Sequence, residues 1–400
     1  MPHKDGASDS LSRLARAGVF ARLPRDLGQV VGADVLRWER FPRAAALTAL
    51  AFVLFAVAFA LAMVIMQDRP NPGLHNLCQW DCIWYESIIE EGYDLEPRTP
   101  RFEANLGFYP GFPLAVGGVM ALTGLDFTTS AVLLNAVYTL LFVWLALSSR
   151  EELLLRSDRD AALFLLAFLL TPFSIFNRVP YTEAQFNLAI LATFVAWRRG
   201  AFVAAALAGA ALTMTRVTGI FLPIALLVEL LVRERWRLLD LLKAPDGRFR
   251  ALAVMPLGAV AFFVFLAFHI GDPLANFRVQ NVGWLHPLRN PVETLVDGFM
   301  SFHHEGTIPA IVFGLSAVVL IVGWRQGRIP PPLALMALCI VTMPTFTGLL
   351  GLPRYAFAIF PIYLAVPALS GWARWSLLTV FVVLHVIFVI QWSLGGFGMI

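Results

Sequence analysis

Long apolar runs broken by short polar stretches dominate the chain from residue 44 onward. Runs near 44–66, 127–149, 160–177, 183–197, 201–215, 218–232, 251–270, 308–324, 332–350, 355–371 and 374–395 each predict a helix in a bilayer. A hydrocarbon core about 30 Å thick takes about 20 helical residues. The shorter runs therefore suit tilted helices or helices buried among others. Segment 108–125 is apolar as well, but Pro and Gly break it, and it reads as a juxtamembrane or re-entrant element. The pattern predicts an all-α polytopic membrane protein of about eleven spans, with one transmembrane domain over 43–400. Two inter-span loops are large, about 67–126 and about 271–307, and the others are tight turns.

Charge tests this count. Cytoplasmic loops carry the excess of Lys and Arg. With the N-terminus inside, 22 of the 30 basic residues fall on the inner side and 8 on the outer. Making 108–125 a full span would turn the Arg150–Arg159 stretch outward and break the bias. Both large loops are therefore expected outside the cytoplasm.

Composition agrees. The 400 residues are 58% hydrophobic and 14% charged, against roughly 25% charged for a soluble domain. No large soluble domain fits beside the runs. The net charge of +3 says nothing of nucleic acid, because the cations flank the spans. Segment 1–42 is basic, too long for a signal peptide, and interleaves Leu11, Leu14, Val19, Phe20 and Leu23 with arginines. It reads either as an amphipathic helix on an anionic leaflet or as a disordered tail. Cys78 and Cys82 stand one helical turn apart. They are either a disulfide, if their loop faces an oxidising compartment, or two packed thiols. With His75 they are too few for a zinc site, so no metal ligand set is assigned and a divalent ion is left open.

Polar residues gather on the expected outer side. The first large loop carries Trp80, Asp81, Trp84, Glu86 and Glu90, and short turns carry Asn177–Glu183, Thr213–Thr218 and Leu352–Tyr355. A carboxylate at a membrane boundary is costly to desolvate and usually marks chemistry or transport. Asp81 beside Trp80 and Trp84 is the candidate general base; the alternative is a helix N-cap. Glu183 could orient a substrate hydroxyl, or simply sit in a first turn favoured by the helix dipole. Arg216 and Arg354, with Tyr355, are candidates for a lipid phosphate, since the guanidinium fork matches phosphate; the alternative is snorkelling. Arg178 is a weaker candidate. Tyr181, Trp80, Trp84 and Trp284 are candidate substrate contacts; the Trp residues could instead be interfacial anchors.

The order of these motifs resembles a known group. A Trp-Asp pair after the first span, followed by Phe108-Tyr109-Pro110-Gly111-Phe112-Pro113, resembles the GT-C superfamily of membrane glycosyltransferases. Pro180-Tyr181-Thr182-Glu183 looks like the corresponding turn of the PIG-V family, the second mannosyltransferase of GPI-anchor synthesis, and of its bacterial relatives. Thr215-Arg216-x-x-Gly219, Gly271-Asp272-Pro273-Leu274 with Gln280 and Trp284, and Pro353-Arg354-Tyr355 are similar to that group too. The resemblance covers about residues 44–371. It implies a GT-C-like helical bundle with juxtamembrane helices in the first outer loop. It also implies an inverting transferase that takes a sugar, commonly mannose, from a polyprenyl-phosphate donor. The reaction would run on the extracytoplasmic side, in a bacterial inner or plasma membrane, with Asp81 deprotonating a lipid-linked or glycan acceptor. The rival classes are a transporter or lipid flippase, which predicts midplane charge and inverted repeats, and a non-catalytic assembly subunit.

Overall fold

The structure, a computed structural model, describes residues 37–68, 72–96, 103–234, 247–283, 287–301 and 303–396. The basic segment expected over 1–42 lies outside these up to residue 36. In chain order the helices are α1 (Phe41–Ile65), α2 (Cys82–Glu90), α3 (Gly111–Thr123), α4 (Phe127–Ser148), α5 (Asp158–Leu170) and α6 (Glu183–Arg198). They continue as α7 (Phe202–Thr215), α8 (Phe221–Arg233), α9 (Arg248–Val254), α10 (Leu257–His269), α11 (Ala275–Val282) and α12 (Pro291–Met300). The last four are α13 (His304–Arg325), α14 (Pro331–Thr342), α15 (Leu352–Phe357) and α16 (Gly371–Ser393). There is no strand among the described residues.

Each of the eleven predicted runs meets helix. Among the described residues, five stretches are long and apolar enough to cross a membrane: Trp38–Ile65, Phe127–Ser148, Arg248–His269, Gly306–Arg325 and Gly371–Ser393. Three of the other runs, 160–177, 332–350 and 355–371, are cut short by proline. Proline lacks the N–H that the next helical bond needs, and it disfavours α backbone in the residue before it. Pro172 thus ends α5, and the chain goes on as a 3₁₀ stretch, Pro172–Asn177. Pro344 and Pro361 open similar stretches after α14 and α15. A short helix cannot face lipid along its whole depth, and α6 is accordingly buried over most of its length. Segment 108–125 forms α3, whose 13 residues reach about 20 Å, short of a full crossing. With α2 it makes the expected juxtamembrane pair.

Between helices in a bilayer, close packing and hydrogen bonds replace the hydrophobic effect. The Ala-rich α7 meets α10 at Gly258, where a Cβ would collide with the Ala210 carbonyl. At that crossing the Thr213 hydroxyl donates to Met255 O (2.7 Å) and accepts from Ala259 N (3.3 Å).

The two ends of the bundle differ in kind. At one, Arg40 and Arg150 hold Asp158 at 2.5 and 2.9 Å, Arg199 holds Glu152 at 2.5 Å, and Arg198 and Arg233 share Glu229 at 2.9 and 3.0 Å. These are the residues expected on the inner side. The first described residue lies here, where Arg37 O accepts from Trp144 Nε1 at 2.9 Å. The last described residues lie at the opposite end, where Trp392 Nε1 donates to Leu77 O at 2.9 Å. The two described ends thus lie at opposite ends of the bundle. We expect Glu103→Cys to be labelled by an impermeant thiol reagent on intact cells; labelling only after permeabilisation would reverse the orientation.

Candidate active site

Four turns at the Asp81 end converge. The turn before α2 is held three ways. A disulfide joins Cys78 to Cys82 across it. The Tyr181 phenol oxygen accepts from Asp81 N at 3.1 Å and donates to Gln79 O at 3.0 Å. Trp80, between them, has left-handed backbone with φ 54°. That conformation is an outlier for a bulky residue and persists only where its surroundings fix it. The result aims the Trp80 side chain outward, 54% exposed, and the Asp81 carboxylate inward.

The carboxylate meets Arg354. Its Oδ2 accepts from Arg354 Nη1 at 2.7 Å, and Arg354 Nε donates to Glu183 Oε1 at 2.7 Å. The same Glu183 oxygen accepts from Arg216 Nη1 at 2.6 Å. Asp81, Glu183, Arg216 and Arg354 therefore form one ion cluster, drawn from the loop after α1, the start of α6, the end of α7 and α15. Burial grades across it: Glu183 is buried, the Arg354 side chain is 8% exposed, Arg216 18% and Asp81 32%. Asp81 is the member open to the outside. Both guanidiniums lie on rings, Arg354 at 4.5 Å from the Tyr181 centroid and 4.8 Å from Phe176, and Arg216 at 5.3 Å from Tyr355 and 5.7 Å from Phe186. The rings exclude water and fix the guanidinium planes. Burial, reinforced by the Asp81 carboxylate, pushes the Tyr85 phenol well above its ordinary range, so beside the cluster it is a neutral O–H.

Buried amides brace the frame. Asn187 Nδ2 donates to Glu183 O and Ala358 O, both at 2.8 Å, and its oxygen accepts from Phe360 N at 3.0 Å, tying α6 to the segment after α15. Asn135 Nδ2 on α4 donates to Val179 O (2.7 Å) and Tyr181 O (3.1 Å). Neither was among the expected site residues, though Asn135 is the one amide in its apolar run and Asn187 shares its run only with Gln185.

The other expected residues are placed as follows. Tyr355 carries Arg216 on its ring. Tyr181 is fully buried and spends its hydroxyl on the Asp81 turn, so it positions the turn instead of presenting a free contact. Trp84 stacks on Phe108 with centroids 6.2 Å apart. Trp284 lies outside the described residues. Arg178 turns away from the cluster: its guanidinium donates to Leu169 O, Ser174 O and the Ser174 hydroxyl at 2.7–2.9 Å. There it caps the carbonyl end of α5, where the helix dipole favours a cation. Glu86 is likewise apart, and burial together with Glu90 and Asp126 raises its carboxyl above the ordinary range. Among the described residues no group of three His, Cys, Asp or Glu side chains could hold a metal ion.

No family model matches the sequence. Over 122 residues, 28% of this chain, it is 33% identical to GPI alpha-1,6-mannosyltransferase 2 of Rattus norvegicus, of which that stretch is 23%. This likeness falls on the group that the motifs resemble. Among solved structures the chain is similar to ArnT from Cupriavidus metallidurans bound to undecaprenyl phosphate, with a TM-score of 0.48 and 20% identity over 83% of this chain and 62% of that one. For the apo state of ArnT the TM-score is 0.46, at 18% identity over 84% and 62%. The chain thus spans about a quarter of the rat protein and about three fifths of ArnT.

Proposed function

We propose that the chain is an inverting GT-C-type glycosyltransferase, a mannosyltransferase of the PIG-V kind. It would move a sugar from a polyprenyl-phosphate donor to a lipid-linked or glycan acceptor on the extracytoplasmic side of the membrane. The observation that carries this reading is the cluster itself: one accessible carboxylate and two ring-backed guanidiniums, brought from distant turns to one end of the bundle. A transporter would instead be expected to carry its charges near the midplane.

In this reading the donor phosphate takes the guanidinium face of Arg354 that now holds Asp81. Arg216 supplies the second cation. Glu183, bridging both, acts as a positioning residue. Freed from Arg354, Asp81 accepts the proton of the acceptor hydroxyl as its oxygen attacks the anomeric carbon from the face opposite the phosphate. The new C–O bond forms while the bond from carbon to phosphate oxygen breaks, and the electron pair leaves with polyprenyl phosphate. The transition state has oxocarbenium character, as in glycosidases. The leaving phosphate gains negative charge while Asp81 loses it to the proton, so the cluster's net charge is unchanged. Cations already in place lower the barrier without reorganising.

Purified protein in liposomes, given polyprenyl-phosphate mannose labelled in the sugar and a lipid extract of the source cell, should transfer label to an acceptor with inversion at the anomeric carbon. No transfer from that donor, with transfer from another polyprenyl-phosphate sugar, would replace mannose and keep the enzyme class. Transfer from neither would leave the reading without its reaction.

A further inference from the structure

Helix α12 divides its circumference into three sectors. Successive residues turn by about 100°, which sets Thr294, Leu295 and Gly298 on one side. That side faces the protein: Thr294 and Gly298 are buried, and Leu295 packs against the cluster of Leu349, Leu352 and Ala356. Gly298 lies so close to α13 that a Cβ on Gly306 would meet Gly298 O at 2.9 Å. The second sector, an arc of about 100°, carries Val292, Val296, Phe299 and Met300, which are 67, 53, 56 and 61% exposed. Glu293 and Asp297 fill the third, also exposed. A helix lying free in water has no reason to separate its exposed apolar residues from its acidic ones.

The neighbouring surface identifies what covers the second sector. Helix α13 exposes Ile308, Ile311, Leu315, Val318 and Val322 at spacings of three and four residues, a stripe along a stretch long and apolar enough to span a membrane. Met300 ends α12 and His304 begins α13, and the two lean together at Gly298 and Gly306. The uncovered face of α12 therefore continues the lipid-facing belt at its Asp81 end. We propose that α12 is an interfacial helix, with Val292, Val296, Phe299 and Met300 sunk at the headgroup–acyl boundary of that leaflet and Glu293 and Asp297 turned to water. Its ten residues include two acids and no Lys or Arg, so attachment comes from apolar burial and not from attraction to anionic lipid. This placement stands apart from the activity proposed above.

Site-directed spin labelling tests it. Cys78 and Cys82 are bonded, so a Cys339→Ala background removes the remaining thiol. Nitroxides placed through Val292→Cys, Val296→Cys, Phe299→Cys, Glu293→Cys and Asp297→Cys would be read in phosphatidylcholine vesicles by collision with oxygen and with a water-soluble nickel chelate. Labels at 292, 296 and 299 should favour oxygen and those at 293 and 297 nickel, with the same result in phosphatidylglycerol vesicles and in high salt. Equal nickel access at all five would show a solvated helix and overturn the proposal. So would spin–spin broadening that disappears on dilution with unlabelled protein, which would assign the face to a second copy. Oxygen preference only in anionic vesicles at low salt would overturn the apolar mode of attachment.

Discussion

Arg354→Ala is expected to lose donor binding and turnover together. Arg354 is the hub of the cluster, holding Asp81 through one nitrogen and Glu183 through another. A hydrogen bond to a charged group contributes about 1.5–3 kcal/mol, so donor affinity should fall about 10- to 100-fold, at about 1.4 kcal/mol per tenfold. Turnover should fall further, because the leaving phosphate draws more on the cation than the bound donor does. The alanine variant also leaves Glu183 buried with Arg216 as its remaining cation, and breaking a buried ion pair costs about 3–5 kcal/mol. Arg354→Lys controls for that. It keeps the charge but cannot reach both carboxylates with a planar fork, and it should retain a fold comparable to wild type and part of the activity. A lysine variant as inactive as alanine, but folded, would show that the fork and not the charge does the work. An alanine variant that is folded and fully active would remove Arg354 from the site.

Asp81→Asn should reduce turnover by about 10²- to 10⁴-fold, the usual contribution of a positioned general base. The substitution is mild structurally. Tyr181 bonds the backbone N–H of residue 81 and not its side chain, and the disulfide brackets the same turn, so the turn should keep its shape. An asparagine oxygen can still accept from Arg354, but it cannot take the acceptor proton. Near-normal turnover in the purified variant would eliminate Asp81 as base. Glu183 would be a poor substitute in this geometry, since it is buried and already neutralises two guanidiniums.

Much of this arrangement could be read along the chain. The apolar runs located every described helix long and apolar enough to cross a membrane, and the uneven placement of Arg separated the two ends that the ion pairs at Asp158 and Glu229, and the cluster at Glu183, now distinguish. Prolines were visible too, but that Pro172 would replace the last turn of a helix by a 3₁₀ stretch depends on neighbours filling the gap. What periodicity cannot carry is contact between distant turns: Asp81 and Arg354 are 273 residues apart, and only the bundle brings them together. Direction within a turn is equally hidden. Tyr181 and Arg178 stand three residues apart, yet one supports the Asp81 turn while the other points back to Leu169 O in α5 and Ser174 O just beyond it. Asn135 and Asn187 were overlooked because an amide in an apolar run has the same pattern whether it braces a site or bonds its own helix. The Cys78–Cys82 bond, open between two readings in the sequence, is formed in the structure.

The central claim is that one ion cluster divides into a phosphate-holding guanidinium and a proton-accepting carboxylate. Equilibrium binding of labelled polyprenyl-phosphate sugar to purified wild type, Asp81→Asn and Arg354→Ala tests it most directly. The account predicts wild-type affinity or better for Asp81→Asn, whose side chain competes less for Arg354, and a loss of about 10- to 100-fold for Arg354→Ala. Undiminished binding by Arg354→Ala, or an equal loss in both variants, would contradict it.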